Sequence, residues 1–397
     1  MKISFPIKSN VVSVAPGVAS TIDSYRSIST LFMLLSVGIL TAAETPVRKI
    51  SQGEHCVHYY VQQNPESPDG TRVVYSSLKK ADKATDVFVC ARDGSAQVKI
   101  GRVAGFEAHN GANAIWIDNE TVAFSEGEAE VYLVHLPDLK VRTFTGSIDE
   151  YSPANGKIIF CVRANEKLDA GIYALDVKTG ERTCLVTMAS MERFAPAMNR
   201  PFDPKLWHFS HPCWSPDGKR IIFEIKAGAK STNKDDYLLH AKADGRDVTL
   251  IGLKPMHPHW WDNETVFGHD WQQKNDKHFR RWGLDGKVID ELAGAGCHGA
   301  VSADRQWIVT ESWYGADPIN LRLLRRGQVE PVATLYSQKR KVRGRDFWGV
   351  RSHVHPAFSA DGKRVYFNAW PEDEPGPQVF CCDVSKLVGG KDGHSSP

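Results

Sequence analysis

Of the fifteen histidines in this 397-residue chain, four stand in a shared position. His211, His257, His298 and His355 each lie four residues before a recurring turn, and His353 precedes His355 by two. Neutral imidazoles that converge are good ligands for a divalent transition metal. An imidazole left off the metal is a general base suited to neutral pH. The plainer reading is that His-Pro belongs to the turn grammar of a repeat, because His211-Pro212, His257-Pro258 and His355-Pro356 share it. That reading accounts less well for His298, which has no proline after it and follows Gly296-Cys297.

The turns that set the shared offset are copies of one short phrase. Ser67-Pro68-Asp69-Gly70, Ser215-Pro216-Asp217-Gly218 and Ser359-Ala360-Asp361-Gly362 are full or near-full copies. Ile117-Asp118-Asn119-Glu120, Ser152-Pro153-Ala154-Asn155-Gly156, Trp261-Asp262-Asn263-Glu264 and Ser302-Ala303-Asp304-Arg305 are weaker ones. In such a turn Pro presets φ, Asp bonds its own backbone, and Gly or Asn takes the left-handed position. A β-rich run follows each, as in Arg220-Ile221-Ile222-Phe223 and Arg364-Val365-Tyr366-Phe367. Successive turns start 50, 35, 63, 46, 41 and 57 residues apart. These steps bracket the roughly 40–50 residues of a propeller blade.

The spacing therefore predicts an all-β chain: a seven-bladed β-propeller of four-stranded antiparallel blades over residues 44–390. Its insertions fall at Met188 to Phe209 and at Tyr336 to Ser352. In such a ring an equal offset means an equal place, at the start of the innermost strand near one end of the channel. His353 and His355, two apart, would face the same side of an extended strand.

Around that mouth the sequence offers cations for an acidic ligand. Arg193 and Arg200 lie in the first insertion, and Lys339, Arg340, Lys341, Arg343 and Arg345 in the second. We take Arg193, Arg200, Arg340, Arg343 and Arg345 as candidate substrate-binding residues. His55, His58 and His109, at other offsets, are expected to line the same face, whereas His135, His240, His278 and His394 read as surface residues. The formal net charge of +2 gives no whole-molecule field for nucleic acid. The eight cysteines lack metal-ligand spacing and read as buried free thiols. Residues 1–43 read as a signal peptide, with an uncharged stretch from Ser27 to Ala43 that is shorter than the roughly 20 residues of a spanning helix. This predicts a periplasmic or secreted protein without stable membrane insertion, and residues 391–397 read as a disordered tail. No Gly-x-Ser-x-Gly elbow accompanies the repeats, which argues against a peptidase.

Over roughly Gln52 to Leu387 the chain resembles the oligogalacturonate lyase family of polysaccharide lyases, which are seven-bladed propellers. In that family a manganese-type divalent cation is held by a His of the sixth blade and a Gln-x-x-His-x-His segment of the seventh. The matching positions here are His298, then Val350, His353 and His355. The family's proposed base, a fifth-blade His, matches His257 in Met256-His257-Pro258-His259-Trp260. Two departures stand out. Val350 replaces the glutamine, and the fourth-blade stretch Glu224 to His240 holds Lys226, Lys230 and Lys234 where the family has an arginine.

The resemblance implies β-elimination on an acidic oligosaccharide. His257 would be the base, with the metal on His298, His353 and His355 and His211 assisting. Two other readings stay open: a lyase for another uronate polymer such as ulvan, suggested by His55-Cys56-Val57-His58-Tyr59-Tyr60, and a non-catalytic TolB-like binding propeller.

Overall fold

The structure is a computed structural model that describes residues 46–61, 63–79, 81–105, 109–163, 168–227, 236–252, 255–270, 278–294, 296–312, 316–339 and 353–389. The predicted signal peptide (1–43), Val350, the basic residues Arg340, Arg343 and Arg345, and the tail 391–397 lie outside the described residues. No helix among the described residues is long and apolar enough to cross a membrane.

Seven four-stranded antiparallel sheets follow one another along the chain and form the blades of the expected propeller. Each predicted turn joins the innermost strand of a blade to the next strand out. In blade one, Ser67 Oγ donates to Asp69 Oδ1 (2.6 Å) and accepts from the Arg72 N–H (3.0 Å). Ser215 with Asp217, Ser302 with Asp304, and Ser359 with Asp361 repeat this bond at 2.6–2.7 Å. The turn phrase is therefore a small hydrogen-bonded knot, and its Ser and Asp hold each other. Gly70, Gly218 and Gly362 take φ of 71, 68 and 69°, and in blade six Arg305 fills the same left-handed place at 62°.

Two of the weaker copies have a job of their own. Asn119 Oδ1 accepts the Asp69 N–H (2.9 Å), and Asn263 Oδ1 accepts the Asp217 N–H (3.0 Å). Each Asn thus ties its turn to the preceding blade.

Between blades the alternating strands bury apolar faces against one another. Blades three and four interlock through Ile159, Ile172, Phe209, Ile221, Phe223 and Ile225. The first insertion adds a 3-10 helix, Met188–Phe194, and a short α-helix, Ala195–Met198. Their Met188, Met191, Ala195 and Met198 cover the same core. Thr187 caps the first helix through its hydroxyl, which accepts from the Ser190 N–H. All eight cysteines are free and six are buried, with Cys161 partly covered and Cys184 exposed. Burial pushes the Cys56 thiol up to about 11, so it stays protonated.

The ring closes with strands from both ends of the chain. Blade seven takes Ala357–Phe358, Arg364–Ala369 and Gln378–Asp383 from the C-terminal side. Its outermost strand is Val47–Lys49, paired antiparallel as Val47 with Cys382, Arg48 with Cys381 and Lys49 with Phe380. An ion pair on a buried carboxylate adds to this seam. Glu66, in the turn region of blade one, accepts from Arg364 Nε (2.9 Å) and Nη2 (3.1 Å) and from the Tyr366 hydroxyl (2.9 Å), both of blade seven.

Removing one partner of such a pair strands a buried charge, at a cost of about 3–5 kcal/mol. Arg364→Met should lower unfolding stability in urea titrations by about 3 kcal/mol, and adding Glu66→Gln should restore much of it. Strictly additive losses would show that the pair does not couple blades seven and one.

Candidate functional site

The inner strand of blade four, Trp207–Trp214, pairs with Arg220–Ala227 up to Ser210 opposite Glu224. Pairing resumes at Cys213 opposite Ile222, so His211 and Pro212 span a bulge. Blade five repeats it: Met256 pairs with His269 and His259 with Phe267, leaving His257 and Pro258 in the bulge. The cause lies in the backbone. His211, His257 and His355 take φ of 50, 52 and 44°. Asn113, at the same offset in blade two, takes 51°.

A left-handed residue other than glycine costs roughly 1–2 kcal/mol. Strain of this kind is typically stored where function needs it. Proline has no N–H to lose from a broken ladder, which explains the repeated His-Pro. His298 is the exception: it lacks a positive φ and stands just ahead of Gly299–Val301. The expectation that His353 and His355 share one side of an extended strand is corrected. Residues 353–356 belong to no strand, and the left-handed bend at His355 sets their rings 5.5 Å apart.

Each in-register histidine has its Nδ1 engaged. His355 Nδ1 meets the Tyr59 carbonyl (3.2 Å) and His257 Nδ1 the Cys297 carbonyl (3.3 Å). His298 Nδ1 meets the Glu311 carboxylate, and His211 Nδ1 meets Glu224 Oε2 (2.8 Å). An oxygen acceptor requires the proton on Nδ1, and these partners assign the tautomer. In the neutral rings Nε2 then keeps its lone pair. Burial and the neighbouring histidines hold His355 and His257 well below the ordinary imidazole range, so both are neutral. Burial likewise lowers His109 to about 3.

The rings meet at one mouth of the channel. The ligand nitrogens of His109, His353 and His355 lie within 4.8 Å of one another. The His298 ring is 5.0 Å from His353 and 4.8 Å from His355. His257 stacks on His298 at 4.2 Å. Tyr60 occupies the middle of the group, its ring 4.8 Å from His355, 5.5 Å from His211 and 5.9 Å from His257. Its hydroxyl lies 3.1 Å from His211 Nε2.

These residues fit a divalent cation. His355 Nε2 is buried with no hydrogen-bond partner and sits in a set of imidazoles, which is how a ligand nitrogen looks beside a fixed Nδ1. Glu311 does more than orient His298, because its Oε2 accepts the Val354 N–H (3.0 Å). One carboxylate thus ties the blade-six histidine to the segment that carries His353 and His355. Burial raises the Glu311 carboxyl while His298, His353 and the Val354 N–H lower it, and the balance lies below the ordinary value.

Of the predicted residues, the structure brings together His211, His257, His298, His353 and His355. It does not bring Arg193 to them. Arg193 lies over the Phe194 ring and reaches the Val248 carbonyl, beside the outer strand Thr249–Leu250 of blade four. Arg200 is exposed just past the helix Ala195–Met198. His109 joins the cluster from blade two at an offset of its own. Glu224 and Glu311 were missed by sequence reasoning, yet a signal exists: each lies 13 residues after its histidine. Asn368 stands at the same separation from His355 and accepts the His58 N–H (3.0 Å).

No protein-family model and no curated protein matches this chain. Among solved structures, an oligogalacturonate lyase in complex with manganese aligns at a TM-score of 0.63 and 13% identity, over 88% of this chain and 96% of that one. An oligogalacturonate lyase from Vibrio parahaemolyticus also gives 0.63, at 14% identity, over 87% and 95%. A chain of the mitotic checkpoint complex gives 0.51 at 14% identity, over 89% and 98%. At such identities the likeness is one of fold.

The double duty of Glu311 is open to measurement. Loss of a carboxylate that orients a ligating histidine typically costs ten- to a hundredfold in metal affinity. Glu311→Ala should weaken Mn2+ binding by about that factor in calorimetric titration, and Glu311→Gln by less. Unchanged affinity would remove His298 from the ligand set.

Proposed function

We propose that this protein is a polysaccharide lyase that cleaves uronate-containing, oligogalacturonate-like chains by metal-assisted β-elimination. The observation that carries the reading is the meeting of His109, His298, His353 and His355 at one mouth, with the Nδ1 of His298 and of His355 engaged by a fixed acceptor. His298, His353 and His355 would hold the divalent cation, with His109 completing the set in this chain. The likeness in fold to two oligogalacturonate lyases, one in complex with manganese, supports the same reading.

In β-elimination the proton beside the uronate carboxylate leaves, a carbon–carbon double bond forms, and the glycosidic carbon–oxygen bond breaks. The bound cation supplies charge neutralisation at the carboxylate, where negative charge builds up. His257 would take the proton. It is neutral, its Nδ1 is held by the Cys297 carbonyl, and its Nε2 lone pair is left for the substrate. The Tyr60 hydroxyl, 3.1 Å from the Nε2 of a His211 that Glu224 orients, would give its own proton to the departing oxygen, and the proton taken by His257 would leave to solvent as Tyr60 regains one from it. That Tyr–His contact also favours a second reading, a lyase for another uronate polymer such as ulvan, in which tyrosine and histidine carry the proton transfers. In either case export to the periplasm or beyond, inferred from the leader-like residues 1–43, would bring the enzyme to its polymer.

Purified protein should produce ultraviolet-absorbing unsaturated uronate from oligogalacturonates or from ulvan, and chelator should abolish it. His257→Ala should reduce turnover by about 100- to 10,000-fold while metal content stays intact. His353→Ala should lose the metal. Activity that persists without metal, or a His257→Ala enzyme at full rate, would overturn the assignment of roles.

A further inference from the structure

A cavity of about 300 Å3 that has Tyr60 and His211 in its wall opens across blades one to four. That volume stands at the low end of small-ligand sites and suits one sugar ring better than a long chain. Its walls carry two cations. Arg163 follows the strand Lys157–Val162 of blade three, and Lys226 stands in the strand Arg220–Ala227 of blade four. Lys226 is opposite His208 in the strand register and two residues beyond Glu224, so it shares the face of the strand that holds the His211 relay. Its ammonium is only loosely paired, 3.9 Å from Glu224 and 4.0 Å from Asp236.

Two carboxyl groups complete the lining. Glu128 Oε2 accepts the Arg163 backbone N–H (3.0 Å), and Asp149 Oδ2 accepts the Cys161 N–H (2.9 Å). Burial raises both carboxyls, Asp149 to about 6, so they oppose the cations less than two ordinary carboxylates would. His208 is held neutral by burial and by the same two cations. The cavity therefore offers a guanidinium and an ammonium for one anionic group, with oxygen and nitrogen partners for hydroxyls around it.

We propose that this cavity is a subsite for a single uronate residue, whose carboxylate is held by Arg163 and Lys226 and whose hydroxyls are met by Glu128, Asp149 and His208. The proposal rests on the lyase reading for its substrate class. It adds the place where a sugar next to the scissile bond is gripped, on the blade-three side of Tyr60. It also gives Lys226, together with a partner from the neighbouring blade, the work of a subsite cation. Arg163 and Lys226 come from adjacent blades, so the carboxylate would be pinched between them.

Galacturonate has no bond to cleave, and its calorimetric titration into the full chain tests binding alone. It should bind, and galactose, its neutral counterpart, should bind at least about tenfold more weakly, as expected when a charged hydrogen bond is lost. Arg163→Met and Lys226→Met should each weaken galacturonate by about tenfold, with Arg163→Gln as a milder variant, while treatment with EDTA should leave the affinity unchanged. Equal affinity for galactose, or galacturonate binding that EDTA abolishes and both variants keep, would overturn the subsite. The reaction is judged separately. Tight galacturonate binding without unsaturated product from oligogalacturonates would remove the lyase reading and keep the subsite. Product formed at unchanged KM by both variants would do the reverse.

Discussion

Everything at the mouth of this propeller depends on three residue pairs of an antiparallel ladder. Val47–Lys49 completes the last blade by pairing with Gln378–Asp383, and so turns a row of sheets into a ring. His109 belongs to blade two and His353 and His355 to the lead-in of blade seven, yet their nitrogens lie within 4.8 Å. Only a closed ring makes such distant segments neighbours. The Glu66–Arg364 pair reinforces the join with a half-buried arginine on a carboxylate buried at the same seam.

Within the ring, precision comes from a local defect in each inner strand. A regular strand would point alternate side chains along or away from its neighbours, whereas the left-handed residue turns one imidazole toward the axis and lets its Nδ1 reach a fixed acceptor. His257 reaches blade six and His355 reaches blade one. The cost of each strained residue is small beside the burial of a blade face, where a single large apolar side chain contributes roughly 1.5–3 kcal/mol. The fold can therefore carry several strained residues at one end without losing its register.

Much of this was legible in the sequence because it is written locally. The Ser-Pro-Asp-Gly phrase makes its own hydrogen bonds within five residues, so the seven blades and the shared histidine offset could be read directly. What escaped depends on register between strands. Glu224 reaches His211, and Glu311 reaches His298, because the second strand of a blade returns antiparallel to the same height. That return shows in the sequence only as a separation of 13 residues. His109 was legible only as a residue of the same face, because it stands at an offset of its own, and ring closure is what brings it within reach of His353 and His355. Arg193 looked close along the chain, but the helices of the insertion spend their apolar side on the core and leave it at the outer edge of the blade.

The left-handed slot occurs in blades two, four, five and seven with the same backbone shape, filled by Asn113, His211, His257 and His355. Asparagine is among the residues that tolerate this conformation best, and histidine is also enriched there. The identity of the side chain in the slot is therefore nearly uncoupled from the stability of the scaffold. One codon change exchanges an amide for an imidazole at a fixed height on the axis. A propeller built this way works like a rotary socket board, in which new chemistry is reached by changing which sockets are filled while the core stays as it is.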